Sequence, residues 1–377
     1  MSNAPSHKLT DSDSATDEPL VDGRPLRVVV ASMWPSARTP EYGIFVRRHV
    51  QALRRAGVDV TVAKLTESRS GRLRVATKYL SLMLRTAYAT RRTKPDLIVA
   101  HYLNPTGDVS RMAATLTGTP FVVVAHGTDV RNSLARPDGK YAQRTRSIVR
   151  SARAVLAVSQ PLADDLKRLV PEVDVAICDM GIDTHSFVPA ATPAPAPRDD
   201  ETLRLLAVGS LTPDKNHAAL IRAVAQSSDT NLVIVGEGAT RPALELLIDE
   251  LGLRNRVALA GRIPPAELST WYPRFHGACL PSLREGFGLS ALEALACGCP
   301  VLVSSAAPVS GLVKDGVTGA VVDATDVDDI ARGITRMRSL GQLDAAQVRT
   351  ITAGRTVDEQ AQKMAALLVQ AATSQDN

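Results

Sequence analysis

The chain has 377 residues, 45% of them apolar and 22% charged, and a net charge of +5. That length exceeds one ordinary core and predicts about two domains of soluble globular type. With 3% aromatic residues and no binding-module signature, nucleic acid is not an expected partner, and no apolar run reaches the roughly 18–20 residues that cross a bilayer.

Residues 1–24 carry Asp11, Asp13, Asp17, Glu18 and Asp22 among small polar residues and prolines, with almost nothing apolar to bury. They are expected to form a disordered tail. Set against Lys8 and Arg24, these five acids make the tail −3 and leave +8 on the remainder. The basic-then-apolar pattern of a secretory leader is missing, which predicts a cytoplasmic protein. Cys178, Cys279, Cys297 and Cys299 form no CxxC pair and have no histidine cluster nearby, so neither a disulfide framework nor a zinc site is expected. Cys297 and Cys299 read as small buried apolar groups, with metal binding by Cys-x-Cys as the alternative.

LRVVVA (26–31) is a β-branched run of the kind that forms a buried parallel strand. A loop follows, and then a helix whose apolar positions Val46, Val50 and Leu53 recur at helical spacing, with Gly57 as its stop. Gly43 stands just before that helix. It either brings backbone N–H groups to a ligand or serves the turn alone. Further strands are predicted over 58–65, 95–102, 120–127 and 154–159, with helical stretches between them, which makes a parallel sheet covered on both faces. Ligands of such sheets bind beyond the C-terminal ends of the strands, where His101, His126 and Ser159 fall. His126 opens the string HGTDV, and a histidine there either packs at the strand end or faces a ligand.

Between two of these strands, 69–96 mixes Arg69, Arg72, Arg74, Lys78, Arg85, Arg91 and Arg92 with leucines, a methionine and tyrosines. Two readings fit: a helix with its apolar face on the sheet and its charges in water, or a basic amphipathic helix that contacts anionic lipid through 69–94.

Residues 189–201 alternate proline and alanine and are predicted to be a linker. A second domain starts with a strand over 203–208, a polar loop holding Lys215, and a helix with Leu220, Ile221 and Val224 on one face. At a strand's C-terminal end an ammonium is placed to neutralise a diphosphate; a solvated surface lysine is the other reading. Over 231–253 the pattern is strand, glycine turn, helix. Gly236-Glu237-Gly238 opens like a dinucleotide fingerprint, but position 241 is Arg rather than Gly. Strand, loop and helix repeat over 256–275.

PSLREGFGLSALEALACGCP (281–300) carries the densest chemistry. Two glycines within three residues, each costing about 0.5–1 kcal/mol in a helix, make Glu285-Gly286-Phe287-Gly288 a loop. From Leu289 the apolar spacing turns helical, and Gly298 and Pro300 end it. A loop thus feeds a helix start, whose N–H groups attract phosphate. Glu285 and Glu293 bracket that anion site and suit sugar hydroxyls, so the stretch fits a nucleotide sugar.

The Glu-x7-Glu spacing within PSLREGFGLSALEALACGCPVLVSS, followed by KDGVTGAVVD, resembles the donor site of the retaining GT-B glycosyltransferases of family 4 type. The resemblance spans nearly all of 26–370. It implies two doubly wound Rossmann-like domains facing a cleft: an acceptor-side domain over 25–188, a nucleotide-sugar-binding domain over 202–355, and a C-terminal helix over 356–372 that returns to the first domain. It implies transfer of a glycosyl group from a nucleoside diphosphate sugar to a sugar, lipid-linked or small-molecule acceptor, with retention and without a metal or other cofactor. Residue by residue, it places Lys215, Gly288 and Leu289 at the diphosphate, Gly43 by the diphosphate and the acceptor, Gly209 and Phe287 in the donor site, Arg262 and Ile263 beside the base, Glu293 on the ribose and Glu285 on the sugar. His126 falls near the reacting sugar and Asp129 on the acceptor side. His126, Lys215 and Glu285 would carry the chemistry. Two departures stand out: Ser210 where many relatives have arginine, and Ala307-Pro308-Val309-Ser310-Gly311 where Gly-Gly-x-x-Glu is usual. They leave two alternatives, a non-catalytic sugar-binding subunit and a nucleotide-sugar epimerase of the same fold.

Overall fold

Each β-branched run predicted as a strand forms one, because a parallel strand covered by helices on both faces needs apolar side chains on both. The computed structural model describes residues 19–35, 43–66, 72–198 and 200–374, with backbone alone for 72–76. The chain divides into two units: one runs to Gly181 and takes back the stretch from Val357, and the other is Ile182–Thr356.

The first unit opens with a hairpin, β1 (Leu20–Val21) and β2 (Arg24–Pro25). Residues 1–18 of the predicted tail lie outside the described residues, but residues 20–24 are structured. Val21 is buried, and Arg24 makes a bidentate pair with Asp96 at 2.6 and 2.9 Å. Composition averaged over the whole tail hides these anchors. Six parallel strands follow: β3 (Arg27–Met33), β4 (Asp59–Leu65), β5 (Leu97–His101), β6 (Phe121–Ala125), β7 (Ala154–Ala157) and β8 (Val175–Ile177), in the order β4-β3-β5-β6-β7-β8. The order reverses between β3 and β5, so the loops after these strands diverge and leave a crevice at their C-terminal ends. The helix Val357–Thr373 packs within this unit beside the helix Ile44–Arg55: Met364, Leu367 and Leu368 are buried, and Arg55 pairs with Asp358 at 2.6 Å.

The second unit holds β9 (Leu203–Val208), β10 (Thr230–Val235), β11 (Val257–Gly261), β12 (Gly277–Leu280), β13 (Val301–Ser304) and β14 (Gly319–Val322), ordered β11-β10-β9-β12-β13-β14, all parallel. Its reversal lies between β9 and β12. Leu205, Ala207, Leu220, Ile221, Leu232 and Ile234 pack together beneath one face of this sheet.

The unit boundary falls at Gly181, ahead of the predicted linker 189–201. Far from hanging free, its residues 189–196 are laid on the second unit, where Ala194 and Gln342 exchange hydrogen bonds of 2.8 and 3.0 Å. Lacking large side chains, it is held through its backbone. The second crossing lies alongside the first: Ile182 N–H donates to Arg355 O at 2.8 Å and Ile182 bridges Thr356. All four cysteines are free and buried, and burial pushes Cys178, Cys279 and Cys297 up to about 12 and holds Cys299 well above its ordinary value, so they are neutral thiols.

Candidate active site

The loops leaving β9 and β12 flank the reversal of the second sheet, and each delivers one partner of an ion pair. After β9 the chain runs through Gly209 and a short turn, Pro213–Lys215, to Asn216, whose left-handed φ of 57° starts the helix His217–Ala225. Asn216 Nδ2 fixes the corner by donating to Ala324 O at 2.7 Å. A Cβ at Gly209 would lie 3.6 Å from Lys215 Cδ and Cε, so the lysine stem extends across that glycine. Leu283 N–H donates to Asp214 O at 2.9 Å, tying the two loops together. Between them Lys215 Nζ meets Glu285 Oε2 at 2.5 Å, with the side chains 21% and 14% exposed. At that depth neither charge is fully solvated, and each holds the other in place.

Glycines outside the pair set the height of this loop. Gly236 has a φ of 148°, and a Cβ there would come within 1.8 Å of Gly209 O; at Gly238 it would meet Leu211 O at 2.2 Å. Leu211 N–H donates to Glu237 O at 3.0 Å, and Thr240 N–H to Leu211 O at 3.1 Å. The Gly236-Glu237-Gly238 string therefore serves backbone-on-backbone packing beneath the Lys215 loop.

On the β12 side, Gly288 caps the helix Leu289–Ala296 at a φ of 111°, and a Cβ would lie 2.5 Å from Val309 Cγ1. Only glycine fits. Phe287 is buried, its carbonyl accepting from Val309 N at 2.9 Å. The departing string 307–311 thus backs the loop through Val309, while Ser310 turns to Ser305 O at 3.4 Å. The first intrahelical donors are Ala291 and Leu292, so the N–H groups of Leu289 and Ser290 have no acceptor within the helix and form the positive end of its dipole. One turn on, Glu293 Oε2 accepts from Tyr272 OH at 3.4 Å. Tyr272 is fully buried, and burial, with Glu293 beside it, pushes its phenol well above its ordinary range. Nothing in the sequence marked Tyr272 as a partner of Glu293, since a buried tyrosine in an amphipathic pattern reads as core. Arg262 and Ile263 follow β11, the edge strand, two positions from β9; Arg262 is exposed and Ile263 half-buried.

His126 and Asp129 belong to the first unit. Asp129 is 6% exposed, its Oδ2 accepting from Leu103 N at 2.8 Å and its Oδ1 from Tyr141 OH at 2.9 Å. Burial raises its pKa against those bonds. It braces the loop after β5. His126 sits among rings: Tyr102 at 4.7 Å, Phe45 at 5.0 Å and His101 at 5.3 Å between centroids, with His49 at 5.6 Å from His101. Burial pushes His126 down to about 3 and His49 to about 4, and holds His101 well below its ordinary value with repulsion from the other two. All three are neutral near pH 7. Sequence placed His101 and His126 at strand ends but gave no sign that His49, from a helix, joins them. Gly43 caps that helix at a φ of 73°, where a Cβ would clash with Met33 O at 2.3 Å, so the turn and the close approach to β3 both require glycine.

Two family descriptions match, "Glycosyltransferase Family 4" over residues 43–186 and "Glycosyl transferases group 1" over 191–355. A D-inositol 3-phosphate glycosyltransferase of Streptosporangium roseum is 31% identical over 282 residues, 68% of this chain and 65% of that protein. One from Mycobacterium sp. (strain KMS) is 30% identical over 262 residues, 65% of this chain and 60% of its own length. The chain thus spans less than two thirds of these relatives. Among solved structures, a sucrose-phosphate synthase from Thermosynechococcus elongatus superposes with a TM-score of 0.72 at 22% identity, covering 92% of this chain and 97% of that one. Anabaena HepE gives 0.68 at 18% identity, covering 91% and 99%. At these identities the likeness is one of fold. With both halves of the chain matched and the same two-sheet architecture, the chain belongs to the family 4 glycosyltransferases of GT-B fold.

Proposed function

We propose that the chain transfers a glycosyl group from a nucleoside diphosphate sugar to an acceptor hydroxyl, with retention at the anomeric carbon. The observation that carries this is the Lys215–Glu285 contact of 2.5 Å beside the helix start at Gly288 and Leu289. It sets an ammonium beside the positive end of a helix dipole, at the strand-order reversal of a doubly wound sheet. In this reading the bond from the anomeric carbon to the diphosphate oxygen breaks and its electron pair leaves with the diphosphate. Lys215 and the Leu289 end of the helix meet the developing charge, and no metal is part of the scheme. The acceptor oxygen takes the vacated position and its proton leaves with the diphosphate. Glu285 engages sugar hydroxyls once the diphosphate draws Lys215 away, and Glu293, steadied by Tyr272, takes the ribose. In the first unit His126 faces a substrate oxygen, and Asp129 holds the loop after β5 through Leu103 N.

Binding is tested by thermal unfolding with UDP, GDP, ADP and NAD. The HepE structure is described as a complex with UDP and glucose, which puts UDP first. A ligand at 100 times its dissociation constant adds about 2.7 kcal/mol. One diphosphate is expected to stabilise the protein, and Glu293→Ala to lose that shift; no shift with any diphosphate would favour the non-catalytic reading. Free nucleotide released without an acceptor-linked product would favour an epimerase. The inositol phosphate in the relatives' name makes a phosphorylated cyclitol the first acceptor to assay.

A membrane contact of the first unit is part of the proposal. The helix Arg72–Thr93 has no acidic residue, and Leu80, Leu84 and Tyr88, spaced one turn apart, are 53%, 56% and 65% exposed. Met112 and Leu116 on the neighbouring helix Asp108–Thr117 are also exposed, and Arg91 reaches Leu116 O at 3.3 Å. Apolar groups ringed by Arg85, Arg91 and Arg92 suit an anionic lipid surface, at about 1 kcal/mol per basic residue. Among the described residues no helix is long and apolar enough to cross a membrane. Sedimentation with phosphatidylglycerol vesicles is expected to carry the protein down at low salt and to fail with Leu84→Asp. Equal binding to phosphatidylcholine, or none to either, would refute the contact.

A further inference from the structure

His101 lies at the end of β5, fully buried, and its Nδ1 is 3.1 Å from His126 Nε2. A neutral imidazole has one N–H and one bare nitrogen, so one ring donates and the other accepts. The other nitrogen of His101, Nε2, is buried and has no hydrogen-bond partner among the described residues. If His126 donated, His101 would have to carry its proton on that nitrogen, as a buried N–H without an acceptor. If His101 donates from Nδ1, only a bare lone pair is buried there. Orphaned buried N–H groups are the rarer case and the more costly. Donation from His101 is thus favoured, and it assigns both tautomers: His101 is protonated on Nδ1, and His126, its Nε2 occupied as acceptor, is also protonated on Nδ1.

We propose that His101 is a positioning residue that locks His126 in the Nδ1–H tautomer, so that His126 meets its ligand as a hydrogen-bond donor to an oxygen and not as a base through Nε2. Among the described residues His101 is the single polar partner of His126. The surroundings hold the ring in place. Tyr102, at a left-handed φ of 74°, and Phe45 pack against it, and Thr106 Oγ1 donates to the His101 carbonyl, fixing the end of the strand. His49 packs its ring against the far side of His101, and its own buried Nε2 has no partner among the described residues and offers His101 no hydrogen bond. The ligand class follows from the donor: a hydroxyl, carboxylate or phosphate oxygen with a free lone pair.

The ligand-facing role of His126 rests on the function proposed above, whereas the tautomers do not, and the experiment separates the two. Full-length protein labelled with nitrogen-15 histidine is examined near neutral pH by long-range proton–nitrogen correlation, in which protonated and bare ring nitrogens resonate far apart. Both His101 and His126 are expected to show Nδ1 protonated and Nε2 bare. A proton on Nε2 of either ring overturns the proposal. His101→Asn keeps an N–H near the position of Nδ1, and His101→Leu removes it. His126 is expected to stay in the single Nδ1–H form in the first variant and to become a mixture of tautomers in the second. An unchanged His126 in a folded His101→Leu protein overturns the positioning role, and if that variant does not fold, the wild-type and His101→Asn spectra decide. None of these spectra needs a substrate, so a protein that transfers no sugar can still sustain the assignment, and a failed assignment leaves the donor reading standing.

Discussion

Lys215→Ala is expected to lower turnover about 100-fold or more at saturating donor, equivalent to roughly 2.7 kcal/mol of transition-state stabilisation. The size follows from where the lysine stands. In the free protein its charge is spent on Glu285 at 2.5 Å, with both groups mostly buried. A diphosphate arriving at the Leu289 helix end brings more negative charge than one carboxylate, so the ammonium gains a stronger partner as the leaving group departs. Glu285→Gln should also cost turnover, because it exchanges an acceptor of sugar hydroxyls for a weaker one and leaves Lys215 without its counter-charge. The pair is also structural, so thermal unfolding has to be followed beside the rates. A buried ion pair broken on one side typically destabilises by about 3–5 kcal/mol, and these partly exposed groups should fall below that. The double variant should then be closer to wild type in stability than the two single losses added together, while its turnover stays low. Full turnover in Lys215→Ala would remove the lysine from the mechanism.

Gly236→Ala is expected to destabilise the second unit by roughly 3 kcal/mol or more, a loss of about 6–12 °C in its unfolding midpoint for a unit of this size. Its Cβ would stand 1.8 Å from Gly209 O, and both partners are backbone, so no rotamer change relieves the clash. The φ of 148° adds strain of its own. The contrast is Gly316→Ala, where φ is 73° but nothing lies within 4 Å of the added carbon. That change should cost about 1 kcal/mol, the left-handed strain alone. Equal melting of the two variants would show that the 209–211 loop moves aside freely, and the role of Gly236 beneath Lys215 would be withdrawn.

These two cases mark how far the residues could be read before folding. The strands were legible because burial on both faces writes itself as runs such as RVVVA and FVVVA, and β/α alternation implied that they pair in parallel, whereas the strand order came only with the fold. Glu285, Gly288 and Glu293 were legible because a loop that feeds a helix has a local signature. Lys215 was visible as a strand-end lysine, but its contact with Glu285 joins residues 70 apart in sequence, and no local pattern reports such a pair. The hairpin at 20–25 was lost for the opposite reason: two anchored residues, Val21 and Arg24, are outvoted by a polar average.

By itself, then, the sequence determined the alternating strands and helices of parallel sheets and the glycine-flanked helix start at 286–289, since these depend on local propensity and periodicity. Tertiary structure alone decided that Gly236 and Gly238 pack against the backbone of the 209–211 loop, that Ala194 is tied to Gln342 of the second unit, that Asp129 is committed to Leu103 and Tyr141, and that the rings of His49, His101 and His126 meet in one cluster. The physical reason is the same in each case: hydrogen bonds, ring contacts and close backbone approach depend on distances between strands that only the folded sheet brings together.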